Sequence, residues 1–212
     1  METAESEFIK LNIAIRPPED IFRQARKFSN QCPGSTRMFT LTELQIPHIT
    51  LYYAEFPVKN LNKIIEQVKS FAATTQPVAL IFDKTAFSYN YFFAYFQRTP
   101  ELMKLHLKLL ELINPLREGH LKDKYQPGSP EMQKFTATEQ KNAIAYGHLN
   151  TGSTYFPHLT LTYYDEKHPK INIMPKINFR TFNAEKIIIF TGGEHGTSEK
   201  VLQEFTLTSK RN

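Results

Sequence analysis

A single cysteine, Cys32, in 212 residues excludes an internal disulfide and makes a zinc–thiolate site implausible. The longest purely apolar runs, such as Ile187–Phe190, are far too short to cross a bilayer. The opening stretch METAESEFIK is acidic and has no apolar h-region, so no secretory signal is expected and the expected setting is cytoplasmic. Dense Lys/Arg tracts are missing too, which argues against a long DNA duplex held by many phosphate contacts. HxH, HExxH and paired-cysteine spacings do not occur, so a metal hydrolase would have to enlist residues such as Asp165 and His168. No low-complexity linker divides the chain, so one domain spanning 1–212 is expected rather than two independent ones.

What is present is an ordinary globular composition, 41% apolar and 22% charged, with a net charge of +5 and a pI of about 9.1. That mild excess suits a small phosphorylated ligand or short RNA better than a long polyanion. In FIKLNIAI, Ile9, Leu11, Ile13 and Ile15 alternate with Phe8, Lys10, Asn12 and Ala14, which predicts a strand with one buried face. Helical spacing follows over Glu19–Phe28 and again over Leu61–Phe71, where Asn60 is a plausible N-cap. Pro77–Asp83 and Ala86–Gln97 read as strands, and Pro100–Leu116 as a helix. Residues 117–140 form a polar loop-plus-helix insertion. Strand signals return at Ala143–Leu149, Lys186–Phe190 and Glu204–Thr208. The expected fold is α+β and bilobal: two similar lobes, each an antiparallel-type sheet with flanking helices, and a cleft between them.

The informative feature is an echo. PHITLYY (47–53) returns as PHLTLTYY (157–164), with the two histidines 110 positions apart. Side chains alternate along a strand. His48, Thr50 and Tyr52 are therefore expected on one face, and His158, Thr160 and Thr162 on one face of the second copy. With 7 histidines, chance alone supplies about one His-x-Ser/Thr. His195-Gly-Thr197, inside GGEHGTSE and without strand alternation, is taken as that chance copy. The matched pair differs because Pro, His, Thr and Leu agree in register.

Two imidazoles titrating near neutrality can divide the work of base and acid, one taking a proton as the other gives one. Threonine hydroxyls can donate to the non-bridging oxygens of a phosphate held between them. A phosphodiester, above all a strained 2′,3′-cyclic one, fits this set without a metal. Paired His-x-Thr strands about a hundred residues apart in a basic chain of this size resemble the 2H phosphoesterase superfamily. It includes RNA 2′,3′-cyclic phosphodiesterases, 2′-5′ RNA ligase-like proteins and 2′-5′ oligoadenylate phosphodiesterases. The resemblance implies His48 and His158 as acid and base and Thr50 and Thr160 as phosphate ligands, with no cofactor and no metal. A monomer is expected. Tyr52, Tyr95, Arg98, Tyr155 and Phe156 are candidate substrate contacts. Phe87–Phe96 holds seven aromatics in ten positions, and its row Tyr89, Tyr91, Phe93, Tyr95 offers a surface on which a base can stack. A non-catalytic RNA-end or nucleotide-binding module remains the alternative.

Overall fold

The computed structural model describes residues 7–32, 45–88, 90–164, 174–193 and 196–208. Strand β1 (Phe8–Ile15) leads to helix α1 (Glu19–Gln31), and β2 (Ile49–Pro57) to α2 (Leu61–Ala73). Short β3 (Val78–Leu80) precedes the hairpin β4 (Phe82–Ser88) and β5 (Tyr91–Phe96), after which comes α3 (Pro100–Ile113). Helix α4 (Ala137–Tyr146) is followed by β6 (His158–Tyr163), β7 (Phe182–Ala184), β8 (Lys186–Gly192) and β9 (Ser198–Thr206). Among the described residues seven strands pair antiparallel in the order β4-β5-β6-β2-β1-β8-β9, while β3 and β7 form a separate ribbon.

The alternation of β1 decides which side is which. Leu11, Ile13 and Ile15 are wholly buried against α1, α2 and α3, together with Ile49, Leu159, Ile187 and Ile189 from neighbouring strands. This apolar face is the main core, and full burial of each such side chain contributes roughly 1.5–3 kcal/mol. Lys10 and Asn12 look out from the other face, beside a small cluster of Ala14, Phe22, Ile46, Ile188 and Phe190. The two halves of the large sheet, β4-β5-β6 and β2-β1-β8-β9, meet at a narrow seam. Between β6 and β2 a single partner pair, Ile49 with Leu159, closes the ladder.

Local signals explain most boundaries, and a few expectations are corrected. Thr99 caps α3 by accepting from the Leu102 N–H, with Pro100 in the first turn. Asn60 does not cap α2; its amide donates instead to the Leu116 carbonyl and the Glu118 carboxylate. The expected strand Ala86–Gln97 is split between two hairpin arms, and Tyr89 lies outside the described residues. Ala143–Leu149 is not a strand. Thr136 and Glu139 form a reciprocal capping box that starts α4, which runs on through Ala143 to Tyr146.

The expected insertion is stapled at its base by one buried cation. Arg117 is 3% exposed, and its guanidinium donates to Asn114 Oδ1 and to the carbonyls of His120, Ile144 and Ala145. Gly147 (φ +72°) lets this happen, since a Cβ there would meet Arg117 Cδ at 2.9 Å. The two flanks of the polar segment are thereby tied to each other.

Candidate active site

Each histidine is locked by the same local device. Proline has no N–H to give, and the residue before it turns its carbonyl toward the histidine two positions on. Ile46 O lies 2.8 Å from His48 Nδ1, and Phe156 O lies 3.0 Å from His158 Nδ1. A carbonyl only accepts, so Nδ1 carries the proton in both rings and Nε2 is left as the basic nitrogen. Ile46 is itself pinned, its N–H donating to Ser198 Oγ at 2.9 Å.

The seam then brings the two devices together. Continuing the antiparallel register of Ile49 and Leu159 by one residue each way sets His48 against Thr160, and Thr50 against His158. The two histidines are diagonal neighbours, for which a spacing of about 7–8 Å is usual. Ile49 and Leu159 point into the core, while all four polar side chains border one cleft of about 1000 Å³.

Past each threonine the strand breaks step in the same way. Ala14 pairs with Thr50 but Ile13 with Tyr52, leaving Leu51 as an extra residue. Phe93 pairs with Thr160 but Phe92 with Thr162, leaving Leu161 extra. These bulges put Leu51 and Tyr52, and likewise Leu161 and Thr162, on the core side and invert the face of everything beyond. Strict alternation therefore misplaces two residues. Tyr52 is 1% exposed, its hydroxyl 2.9 Å from Asn114 Oδ1 and 3.0 Å from the Tyr146 carbonyl, and Tyr53 takes the cleft position instead. Thr162 is fully buried rather than aligned with His158.

A family model of the 2′-5′ RNA ligase superfamily matches residues 17–189. The chain belongs to that superfamily. Solved structures share its fold: E. coli LigT complexed with 3′-AMP aligns at a TM-score of 0.58 and 15% identity, covering 96% of this chain and 100% of LigT. TT0787 of Thermus thermophilus aligns at 0.59 and 15% identity, covering 96% of this chain and 100% of its own. A phosphoesterase aligns at 0.60 and 14% identity, covering 95% and 99%. LigT structures also hold phosphate, ATP and NADP+. No curated protein matches the chain by sequence.

Within this superfamily fold, the environments of the two imidazoles differ. Asn12 Nδ2 donates to Thr50 Oγ1 at 3.0 Å and lies 3.3 Å from His48 Nε2, and Phe190 meets the His48 ring edge-on at 4.6 Å. Because Thr50 accepts from Asn12, its hydroxyl hydrogen remains available to a ligand. His158 sits among rings, with Phe93 at 4.3 Å and Phe156 at 4.9 Å, and its Nε2 has no partner among the described residues. Burial lowers the pKa of both. His48 falls to about 4, chiefly by desolvation and further by the proximity of His158, so both rings are neutral at pH 7.

Of the other expected contacts, Phe156 lines the cleft, as do Tyr91 and Phe93 from the aromatic row. Tyr95 is outside the lining, 6.4 Å from the His158 ring, and Arg98 is directed to the Ser153 carbonyl instead. Tyr155 borders the cleft but is 2% exposed. It stacks on His106 at 3.9 Å and donates its hydroxyl to the Thr50 carbonyl. His106, wholly buried, takes the Leu51 carbonyl at 2.7 Å, so side chains satisfy backbone groups along the thin seam. His195, Asp165 and His168 lie outside the described residues.

Sequence reasoning missed Asn12, Tyr53, His120, His148 and the lysines Lys10, Lys122 and Lys124, all of which border the cleft. Lys10 and Asn12 belong to the polar row already visible in β1, but only strand pairing shows that this row meets β2. His148 is pushed down to about 3 by burial and then by Lys122 and Lys124. Tyr53 presses on β8 so closely that a Cβ at Gly192 would meet its Cε2 at 2.6 Å.

Proposed function

We propose that the chain is a metal-independent phosphodiesterase for RNA-type 2′,3′-cyclic phosphate or 2′-5′ phosphodiester bonds of small nucleotides and short oligonucleotides. The observation that carries this reading is the seam: two His-x-Thr units in diagonal register, each with Nδ1–H tied to a backbone carbonyl and Nε2 left basic. A phosphate between the strands would take hydrogen bonds from Thr50 and Thr160. One neutral Nε2 removes the proton of the attacking hydroxyl, from water or from the ribose beside a 2′-5′ bond. The other imidazole, protonated as the anionic phosphate enters, gives its proton to the leaving ribose oxygen as the P–O bond breaks. One proton is taken and one given, so the pair ends with its protonation exchanged. The nucleotides held by LigT, a chain of the same fold, support a nucleotide-sized ligand here.

The test is hydrolysis of 2′,3′-cyclic nucleotides and 2′-5′-linked dinucleotides in EDTA, with His48→Ala and His158→Ala as controls. Cleavage that persists in EDTA and vanishes in both variants is expected. Full activity in either variant would sink the mechanism, and binding without turnover in the wild type would favour a nucleotide-binding module instead.

A further inference from the structure

The cleft has a second charged end, away from the paired motifs. Along β1 the cleft-facing row runs Asn12, Lys10, Phe8, and the register sets Asn12 against Tyr53 and Lys10 against Glu55 of β2. Two residues of strand span about 7 Å. Lys10 therefore lies about one such step from Asn12, the residue that holds His48 and Thr50. The segment stapled by Arg117 brings Lys122, Lys124 and Tyr125 to the same end.

Counter-charge there is shared. Lys122, only 14% exposed in its side chain, has its Nζ 4.2 Å from the Tyr53 ring centroid and 3.9 Å from Glu55 Oε1. Glu55 is already shared, its Oε2 lying 3.0 Å from His120 Nε2. Against Lys10, Lys122 and Lys124 the lining offers two carboxylates, Glu55 and Asp123, and Glu199 stands near Tyr53. Desolvation outweighs Glu55 at Lys122 and lowers its pKa to about 8. An ammonium desolvated this way, its one carboxylate at 3.9 Å and shared with His120, gains from a further anion, and a phosphate supplies one.

Building on the phosphodiesterase reading, we propose that Lys10, Lys122 and Lys124 form a second phosphate subsite. The preferred substrate then carries a further phosphate about one nucleotide unit from the bond that is cut. The insertion, which leaves no mark in the paired motifs, supplies two of the three cations and so sets substrate preference.

Hydrolysis of a 2′-5′-linked dinucleoside monophosphate, compared with its 5′-phosphorylated and its terminally 3′-phosphorylated forms, tests this. One phosphorylated form should show kcat/KM about tenfold higher in the wild type, through KM, as expected for one charge-assisted contact. That ratio should collapse toward unity in Lys122→Gln and Lys10→Gln and persist in Lys122→Arg. Equal kcat/KM for all three forms in the wild type, or an unchanged ratio in the Gln variants, overturns the subsite. Should none of the three be cleaved, the phosphodiesterase reading fails by itself. Calorimetric binding of the same dinucleotides then judges the subsite: tighter binding of a phosphorylated form, lost in Lys122→Gln, supports it, and equal binding refutes it.

Discussion

The two motif strands use one local grammar in two different settings. On both, proline precedes histidine, the carbonyl before that proline fixes Nδ1–H, and a bulge follows the threonine at leucine. On the β2 side, Nε2 faces the Asn12 amide, and the strand backbone is tied to Tyr155 and His106. On the β6 side, Nε2 meets no protein partner among the described residues, and the ring is enclosed by Phe93 and Phe156. Identical geometry of the imidazole thus comes with a polar collar on one side and an aromatic one on the other. The motif sets tautomer and direction, whereas the neighbours set basicity and access.

Removing either ring should erase the comparison. His48→Ala and His158→Ala are each expected to lower kcat by roughly 10²–10⁴, and the double variant by little more than the worse single, because the pair acts as a unit. Steady-state rates on a cyclic nucleotide decide it, and a double loss equal to the product of the singles would show independent roles.

Acidity sharpens it next. Each ring has a lower pKa folded than unfolded, so the unfolded chain binds more protons between the two values. Stability contributed by neutral His48 and His106 is full above about 6.5 and is lost as pH falls toward about 4; His148, lowered to about 3, extends the loss, and burial of His158 acts in the same direction. Melting temperature should drop through that window, and His106→Gln should flatten the drop; a flat curve from pH 7 to 4 in the wild type would contradict it. Since the proposed turnover needs one charged ring and burial lowers the pKa of both, kcat/KM should peak below pH 6.5. The kcat profile should extend to higher pH, because bound phosphate raises the pKa of the imidazolium beside it.

Smaller effects separate the collars. Asn12→Ala should reduce kcat/KM about tenfold by freeing His48 and Thr50, at a cost close to one or two hydrogen bonds. Phe93→Leu, on the other collar, should act mainly by raising the pKa of His158, seen as a displaced limb in the pH profile with little change at the optimum. Smallest of all, Thr162→Val should be neutral or stabilise by about 1 kcal/mol, since the buried Thr162 Oγ1 has no hydrogen-bond partner among the described residues. Chemical denaturation measures that, and a large loss would mean the hydroxyl is satisfied in solution.

Much of this was legible in the chain. Alternation in β1 named the buried row of Leu11, Ile13 and Ile15, and the matched Pro-His-x-Thr-Leu copies named four cleft residues before any pairing was known. Failures fall where a non-local contact overrides a local period. One extra residue at Leu51 sent Tyr52 to the core and brought Tyr53 to the cleft, because a bulge is defined by the partner strand and not by its own sequence. Ala143–Leu149 has strand-like composition, yet the capping box at Thr136 and the contacts of the stapled insertion make its first part helix.

By itself the sequence determined the two Pro-His-x-Thr units, and their tautomers follow locally once the strands form, since proline, carbonyl and histidine lie within three consecutive residues. Tertiary structure alone decided that the units face each other across the β6–β2 seam, that Asn12 attends one and Phe93 the other, and that Lys10, Lys122 and Lys124 share their cleft. The physical reason is range: a tautomer is fixed by neighbours in the chain, whereas spacing, desolvation and counter-charge depend on groups that only folding brings near.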